Sequence, residues 1–221
     1  MSRSSRNVQV ADAELVPQES KFSDTLLFTK KLLAKGRAIA AVSPSGAIIS
    51  RMMARQVDFS QPGVIVELGA GTGAITRAII EQLQPHHRFI AVEIDSDFVD
   101  ILRQRFPQYT VLKGDATNLA GPLHHLGVKQ VKYIFSGLAT PSLPVRGQER
   151  LHHWMRQMLD PNGTFVQITF VPLHSPRRHL FQRYYSRLFH SVRFTPVWRN
   201  VPPGGVFTCR GIRERIAPKA H

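Results

Sequence analysis

Residues 64–73 read Val-Ile-Val-Glu-Leu-Gly-Ala-Gly-Thr-Gly, and this stretch contains the strongest structural signal of the sequence. The β-branched run predicts a buried strand, and glycine at every second later position predicts a tight loop that leads into a helix. Such glycines let the main chain approach a ligand closely, as they do in nucleotide-binding α/β proteins. The carboxylate of Glu67 directly precedes the loop, where it would repel a phosphate but not a cation. We therefore expect a positively charged nucleoside as the cofactor.

Strands and helices alternate on both sides of this loop. Apolar periodicity predicts helices over residues 44–57, 75–83, 98–106, 145–158 and 176–189 and strands over residues 64–66, 89–92, 109–112, 132–135, 164–170, 191–197 and 206–210. Residues 160–163, Asp-Pro-Asn-Gly, predict a turn. This alternation is typical of an α/β, doubly wound, mostly parallel sheet that is covered by helices on both faces.

The chain is expected to form one domain, because no internal repeat or linker divides it. Residues 1–20 form a polar tail that we expect to be mobile, and residues 21–57 form a basic amphipathic helical extension. The α/β domain covers residues 58–215, and residues 216–221 are a second short tail. A helix predicted over residues 22–35 places apolar side chains on one face and lysines on the other.

Composition and charge limit the possible classes of protein. The chain has 221 residues, of which 43% are hydrophobic, so a globular protein with a full core is expected. Its net charge of +14 is uneven: residues 1–60 carry +4, residues 61–170 carry +1 and residues 171–221 carry +9. Such basic ends predict a polyanion or an anionic membrane as the partner. The single cysteine, Cys209, excludes an internal disulfide and a cysteine-based zinc site.

Targeting signals are not recognisable in the sequence. No apolar run approaches the ~18 residues that span a bilayer. Residues 1–20 lack the apolar segment of a signal peptide. We therefore expect the protein in the cytoplasm.

Two acidic residues follow the glycine loop at informative positions. Glu93 lies twenty residues after Gly73, at the end of the next predicted strand, where a carboxylate can hold both hydroxyls of a ribose. Asp115 follows the third predicted strand, within reach of an adenine. Glycine loop and acids together predict a complete site for a nucleoside.

Residues 67–73, Glu-Leu-Gly-Ala-Gly-Thr-Gly, together with Glu93 and the pair Gly114-Asp115, resemble the class I S-adenosylmethionine-dependent methyltransferases. The resemblance implies a Rossmann-like sheet with an antiparallel strand at its C-terminal edge, with S-adenosylmethionine as the cofactor and S-adenosylhomocysteine as the product. It also implies that Glu93 binds the ribose, Asp115 the adenine amine and Glu67 the methionine amino group. The full set of cofactor-binding residues that it implies is Ser45, Glu67, Gly69, Ala70, Gly71, Gly73, Glu93, Ile94, Asp115, Ala116 and Ser136.

A finer resemblance covers about residues 21–210. The segments that carry it include Ser-Gly-Leu at 136–138, Phe-Val-Gln-Ile-Thr at 165–169 and Trp-Arg-Asn-Val-Pro-Pro at 198–203. In this order they resemble the bacterial phospholipid N-methyltransferases, which convert phosphatidylethanolamine stepwise to phosphatidylcholine. Relatives of that family act on ornithine lipids, and no residue here excludes them. The resemblance implies that Ser136, Gly137 and Leu138 form the catalytic segment.

A lipid-modifying enzyme has to dock on a membrane, and the basic ends of the chain suit this. A basic amphipathic helix can lie in the interface, and each Lys or Arg near an anionic surface contributes roughly 1 kcal/mol. The residues expected to contact the inner face of the cell membrane are Phe22, Lys30, Lys31, Lys35, Arg177, Arg178, Trp198 and Arg199, with Arg183 and Arg187 beside them. The alternative is that the first helix covers a sheet edge and that the arginines form a solvated face.

The rival function is RNA methylation. The rRNA adenine dimethylases share this fold and its basic character, and they carry Asn-(Leu/Ile)-Pro-(Tyr/Phe) after the fourth strand, where the aromatic residue stacks on a flipped base. Here residues 136–144 read Ser-Gly-Leu-Ala-Thr-Pro-Ser-Leu-Pro, with neither the Asn nor the aromatic residue. Small residues suit a primary alkylamine better than a planar base, so nucleic acid is disfavoured. A small-molecule methyltransferase is a third possibility, which would leave the charge of +14 unexplained.

No general base stands out in the sequence. Histidine pairs at residues 86–87, 124–125 and 152–153 fall on a loop, a helix end and a helix face, and we expect them on the surface. Adjacent histidines point in different directions on a helix and make poor joint metal ligands, so no metal is expected. Trp198 or Tyr133 could face the methylated cation, although a core position suits both.

Overall fold

The computed structural model describes residues 44–170, 176–198 and 204–214. Within these ranges one seven-stranded sheet has the strand order β3-β2-β1-β4-β5-β7-β6. The strands are β1 Gly63–Leu68, β2 His87–Glu93, β3 Thr110–Lys113, β4 Val131–Ser136, β5 Leu159–Thr169, β6 Phe189–Val197 and β7 Gly204–Ile212. The helices are α1 Pro44–Ala54, α2 Ala74–Ile80, α3 Ser96–Arg105, α4 Ala120–His125, α5 Val145–Met158 and α6 Pro176–Ser186, with a short 3-10 helix at Thr140–Ser142.

Five strands form the parallel part of the sheet. β1 pairs with β2 on one side, with Leu68 opposite Val92, and with β4 on the other, with Leu68 opposite Ser136. The last four residues of β1 and the last four of β4 are buried. Continuous apolar runs of this kind belong to strands covered on both faces. Because the five strands are parallel, their carboxyl ends all lie at one edge of the sheet.

The remaining two strands are antiparallel. β7 pairs with β5 and with β6, and both pairings are antiparallel. The predicted antiparallel extension is therefore confirmed, but β6 forms the edge and β7 lies inside the sheet. Cys209 of β7 is fully buried.

Two apolar layers pack the sheet. One face is covered by α5, whose Trp154, 2% exposed, belongs to the same cluster as Val66 and Leu68. The other face is covered by α1, α2 and α3, and there Met53 and Leu102 pack with Ile65. Alternate residues of β1 thus enter opposite layers, as the period of two in a strand requires.

Most predicted elements are found within a few residues of their predicted bounds. Three details of the prediction are wrong. The segment Ala120–His125 forms a helix, of which only the end at residues 124–125 was expected, and α1, α2 and α6 each end three residues before their predicted bounds. The predicted turn at 160–163 lies within β5, where the Asn162 amide donates to Asp160 Oδ1 over 2.7 Å and the register with β4 shifts. The turn chemistry is present, but β-pairing continues around it.

The predicted tails and the predicted helix over residues 22–35 lie outside the described residues. Among the described helices, none is both long and apolar enough to cross a membrane.

Candidate functional site

The glycine loop connects β1 to α2 at the carboxyl edge of the sheet. Three of its glycines, Gly69, Gly71 and Gly73, have φ angles of 67°, 55° and 89°, in the left-handed region that other residues rarely adopt. The amides of Gly69 and Ala70 both donate to the Val92 carbonyl, over 2.8 and 3.1 Å. The loop is thus bound to the end of β2, and its main chain faces the ends of the central strands.

Glu93 ends β2 and is only 2% exposed. Its Oε2 accepts from the Gly71 amide over 2.7 Å, and its Oε1 accepts from the Ile94 and Asp95 amides over 2.9 and 3.1 Å. These three main-chain donors fix the orientation of the carboxyl group. Glu93 therefore presents a fixed carboxylate at the sheet edge.

A cleft opens beside this carboxylate. Its lining residues come from the ends of β1, β2, β3 and β4, and they are Gly69, Val92, Glu93, Ile94, Gly114, Asp115, Ala116, Thr117, Leu138 and Leu143. Six residues predicted from the sequence therefore lie together: Gly69, Glu93, Ile94, Asp115, Ala116 and Leu138. Ligands of open α/β sheets bind at such a position, outside the carboxyl ends of the strands.

Glu67 has a different environment from the other predicted acids. It is fully buried, and it is absent from the residues that line the cleft in the described structure. Its Oε2 accepts from Thr76 Oγ1 over 2.6 Å. The carboxylate therefore joins the end of β1 to the first turn of α2, on either side of the glycine loop in the sequence. Its predicted contact with an amino group stays a prediction.

Asp115 and Ala116 are positioned by α5, which sequence analysis did not connect with the cleft. Arg150 Nη2 lies 3.6 Å from Asp115 Oδ2 and donates to Thr117 Oγ1 over 3.0 Å. Four residues further along the helix, Trp154 Nε1 donates to the Ala116 carbonyl over 2.9 Å. The spacing of four places both side chains on one helix face. This spacing was the one signal in the sequence that could have indicated their joint contact with residues 115–117.

The predicted catalytic segment, residues 136–138, follows β4. The Gly137 amide donates to the Leu68 carbonyl over 3.0 Å, and the Leu138 amide donates to Ser136 Oγ over 3.2 Å. Ser136 is fully buried, whereas Leu138 reaches the cleft. The segment is therefore a tight turn whose main chain lies beside the cleft.

A buried polar network holds this segment from beneath. Gln167 Nε2 on β5 donates to the Ser136 carbonyl over 3.2 Å and also to the Leu138 carbonyl. Thr140 Oγ1 donates to Gln167 Oε1 over 3.2 Å and lies 2.8 Å from the hydroxyl of Tyr185. Tyr185 is 1% exposed and belongs to α6, and burial raises its pKa well above the ordinary value. The basic helix α6 is thus joined to the turn after β4.

The expectation that all histidine pairs lie on the surface is wrong for His152. This residue is half-buried on α5, and its Nε2 lies 2.5 Å from the Tyr184 hydroxyl of α6. Burial, with a smaller contribution from the charge of Arg156, lowers the pKa of His152 to about 4. Burial also raises the pKa of Tyr184. Both groups are therefore neutral at pH 7, and they share one hydrogen bond between Nε2 and the phenol oxygen.

The remaining predicted residues are placed as follows. The Trp198 side chain is 64% exposed, so it is not a core residue, whereas Tyr133 is buried and donates to the Asp58 carbonyl over 2.7 Å. The Arg178 guanidinium lies 5.4 Å from the ring centre of Phe194.

Residues whose side chains lie outside the description are Phe22, Lys30, Lys31, Lys35, Ser45, Arg177 and Arg199. Among the described side chains, no group of three or more His, Cys, Asp or Glu could hold a metal ion.

The cleft fits an adenosine-type cofactor. Two carboxylates line it, Glu93 at the end of β2 and Asp115 two residues after the end of β3. Thr72 Oγ1 in the glycine loop is buried and has no hydrogen-bond partner among the residues described, so a polar ligand group would satisfy it. Sheet order, glycine loop and acids define an α/β enzyme that uses a nucleoside cofactor.

Comparisons with known proteins agree with this class. Residues 65–163 match the family model described as a methyltransferase domain. The chain is 40% identical, over 194 residues, to an ornithine lipid N-methyltransferase from Singulisphaera acidiphila, and the match covers 86% of this chain and 98% of that protein. It is 34% identical to the ribosomal RNA small subunit methyltransferase A of a Synechococcus strain, but over only 42% of this chain and 35% of that protein.

Solved structures show the same fold. A Burkholderia thailandensis 1,6-didemethyltoxoflavin-N1-methyltransferase with bound S-adenosylhomocysteine aligns with a TM-score of 0.63 at 15% identity, covering 90% of this chain and 93% of that one. An O-methyltransferase from Bacillus cereus, also bound to S-adenosylhomocysteine, aligns with a TM-score of 0.57 at 16% identity, covering 89% and 93%. The chain belongs to the class I S-adenosylmethionine-dependent methyltransferases and resembles the lipid N-methyltransferases among them. Its cofactor is S-adenosylmethionine, and the transfer leaves S-adenosylhomocysteine as the product.

Proposed function

We propose that this methyltransferase transfers methyl groups from S-adenosylmethionine to the amino head group of a membrane lipid. The observation that carries the proposal is the 40% identity to an ornithine lipid N-methyltransferase over 98% of that relative. Similarity to the ribosomal RNA methyltransferase covers only 42% of this chain. A lipid amine is therefore favoured over an RNA base as the acceptor.

The lining of the cleft supports an alkylamine acceptor. The two residues that reach the cleft from the segment after β4 are aliphatic, Leu138 and Leu143. Enzymes that act on a base stack it on aromatic or apolar side chains after flipping it out of the helix. Neither residue that this segment contributes to the described cleft is aromatic, so a flipped base would find no aromatic ring to stack on there.

Ornithine lipid is the first candidate substrate because the similar full-length protein acts on it. Phosphatidylethanolamine, the substrate implied by the resemblance to the phospholipid N-methyltransferases, stays a second candidate. Both lipids combine a primary amine with an anionic group in one head group. A single type of cleft therefore suits both, and the assay below separates them.

The cofactor-binding roles are part of the proposal. Glu93 receives the ribose hydroxyls, and Asp115, with Ile94 and Ala116 beside it, receives the adenine. The methionine part lies against the glycine loop, which contains Gly69, Ala70, Gly71 and Gly73, with Ser45, Glu67 and Ser136 around it.

The proposed reaction is an in-line displacement at a methyl group. The bound cofactor supplies this methyl on a sulfonium, a good leaving group. The amine nitrogen forms the new N–C bond, the C–S bond breaks, and its electron pair returns to sulfur. An alkylammonium group has a pKa of ~10 and has to lose its proton to water before each transfer. Leu138 and Leu143 exclude water, which favours the neutral amine, and the main chain at Ser136 and Gly137 orients it.

We further propose that the enzyme works at the cytoplasmic face of the cell membrane as a peripheral protein. The net charge of +14 supports this, because anionic lipids attract basic segments. Exposed Trp198 supports it too, since tryptophan favours the membrane interface. The basic helix predicted over residues 22–35 would be the principal membrane contact.

The test is methyl transfer from radiolabelled S-adenosylmethionine to purified lipids and to ribosomal RNA, each presented separately. We expect label in ornithine lipid or phosphatidylethanolamine and none in RNA, with the variant Glu93→Ala as the background. Mass spectrometry of the lipid product counts the added methyl groups. Label in RNA alone, or no label in either lipid, would overturn the proposal.

A further inference from the structure

A second groove lies between α6 and the 3-10 helix that follows the catalytic segment. Its lining residues are Pro141, Leu180, Phe181, Arg183, Tyr184 and Arg187. Pro141 is only three residues from Leu138, which lines the cofactor cleft. Three residues of chain span at most about 11 Å, so groove and cleft open on neighbouring sides of one short segment.

The α6 side of this groove is amphipathic along its length. Tyr184 is four residues after Leu180 and Arg183 is three residues after it, so these side chains share one face of α6, and Arg187 follows in the turn after the helix end at Ser186. Leu180 is 58% exposed, an unusual position for a leucine on a face that has apolar neighbours. One end of the groove is therefore apolar and the other is cationic.

The two arginines have no counterion in the described structure. The only salt bridges found there join Lys132 to Asp160 and Arg150 to Asp115. Residues 176–198 contain no Asp or Glu at all. Two exposed guanidinium groups four residues apart, with no salt bridge and no acid in their own segment, are an arrangement that binds a carboxylate or a phosphate.

The groove is also held rigidly against the active site. The Tyr184 hydroxyl is bonded to His152 of α5, and the Tyr185 hydroxyl lies 2.8 Å from Thr140 Oγ1 in the 3-10 helix. These bonds fix the main chain around Arg183 relative to the segment that contains Leu138. A ligand bound to the two arginines therefore lies near the cofactor cleft, as a two-part head group requires.

We infer that Arg183 and Arg187 bind the anionic group of the substrate's own head group, while an acyl chain lies on Leu180 and Phe181. This inference rests on the proposed function and specifies how the lipid is recognised. For ornithine lipid the bound group is the carboxylate, and for phosphatidylethanolamine it is the phosphate. The anion fixes the head group so that the amine a few bonds away reaches Leu138.

The test uses Arg183→Gln, Arg187→Gln and the double variant, with Arg103→Gln on the exposed side of α3 as a control of equal charge. Initial rates are measured with ornithine lipid in micelles of an uncharged detergent, and again with its methyl ester, which keeps the amine and lacks the anion. We expect each single variant to raise KM for ornithine lipid roughly tenfold, with kcat nearly unchanged. The ester should be methylated equally by all proteins, and Arg103→Gln should equal the parent.

Three outcomes would overturn the inference. The first is an unchanged KM for ornithine lipid in the arginine variants. The second is an equal loss on the methyl ester, which would assign the arginines another role. The third is a loss seen only on vesicles with phosphatidylglycerol, which would make the arginines a contact for the general membrane surface.

A binding measurement separates this inference from the proposed function. Calorimetry follows a short-chain N-acyl ornithine that is added to the protein with S-adenosylhomocysteine. Binding that the double variant loses, without methyl transfer by the parent, would support the inference and overturn the proposed reaction. Methyl transfer to lipid by the parent and equal binding by the double variant would do the reverse. No binding by the parent would overturn both.

Discussion

The carboxylate of Glu93 accepts a hydrogen bond from the main-chain N–H of Gly71 over 2.7 Å. This bond joins the end of β2 to the loop after β1, two segments that are 22 residues apart in sequence. The same carboxylate accepts from the two amides that follow it. Glu93 thus fixes the shape of the loop and also presents its charge to the cleft.

Replacing Glu93 by alanine is expected to abolish measurable cofactor binding and to lower the free energy of unfolding. Three main-chain N–H groups lose their acceptor, and an unsatisfied buried donor costs about 1–3 kcal/mol. Calorimetry with S-adenosylmethionine and thermal unfolding measure the two effects. Glu81→Ala, at the exposed end of α2, is the matched control and should change neither. Unchanged affinity in Glu93→Ala would contradict the ribose role.

Alanine at Gly73 is expected to disrupt the loop. The residue has a φ of +89°, and an added Cβ would lie 2.5 Å from the Phe106 ring. Both the strained main chain and the clash destabilise the fold, by about 1–3 kcal/mol or more. Chemical denaturation measures the loss, and cofactor affinity should fall with it.

Gly121→Ala on α4 is the control for this change. No atom lies within 4 Å of its added Cβ, and alanine in a helix is favoured over glycine by about 0.5–1 kcal/mol. The control should therefore be neutral or stabilising. Equal stability of the Gly73 and Gly121 variants would argue against the loop geometry.

Trp154→Phe is expected to weaken cofactor binding several-fold. The substitution removes the 2.9 Å hydrogen bond to the Ala116 carbonyl, and Ala116 lines the cleft. Tyr133→Phe is the matched control, because it also removes one bond from an aromatic side chain to a main-chain carbonyl, that of Asp58. Both variants should lose about 1 kcal/mol of stability or more. Only Trp154→Phe should lose affinity for S-adenosylmethionine, and equal losses would refute the role of α5.

His152 is expected to make the fold sensitive to acid. Its pKa is lowered from 6.5 to about 4, so between these values the unfolded chain binds more protons than the folded one. The stabilising contribution is present above pH 6.5 and is lost as the pH falls towards 4. The loss should be of order 2 kcal/mol. Unfolding measured from pH 7 to pH 4 in the parent and in His152→Gln checks it, and parallel curves would contradict it.

Reversing Lys30, Lys31 and Lys35 to glutamate is expected to weaken binding to anionic vesicles at low salt. Each lysine near the surface contributes roughly 1 kcal/mol, and salt screens this attraction. The control reverses three exposed cations of the α/β domain, Arg88, Arg103 and Lys129. Vesicle sedimentation measures binding, and cofactor affinity should stay unchanged in both variants. Equal sedimentation of the two variants would count against membrane binding by the helix predicted over residues 22–35.

The cofactor cleft was largely predictable because its signals are local. Glycine positions report main-chain conformation directly, and Glu93 and Asp115 end strands whose apolar runs are visible in the sequence. In a parallel sheet the ends of such strands meet at one edge, so local patterns suffice to place these residues together.

The supporting residues could not be predicted in the same way. Trp154 is 38 residues from its partner Ala116, and Tyr185 is 45 residues from Thr140. Their contacts depend on how helices pack on the finished sheet, which no local pattern specifies. The partial burial of His152 has the same origin, since a second helix covers it.

The position of β7 between β5 and β6 has a consequence for how the chain is assembled. β6 leaves the ribosome before β7. Both β5 and β6, however, form hydrogen bonds with β7, which consists of residues 204–212. Until these residues emerge, β5 keeps an open hydrogen-bonding edge, and the hydrophobic face beneath α6 has no closing strand. The half of the sheet on which α6 packs, with the groove that contains Arg183 and Arg187, is therefore completed late in synthesis. The cofactor half, from β1 to β4, already has all of its strands.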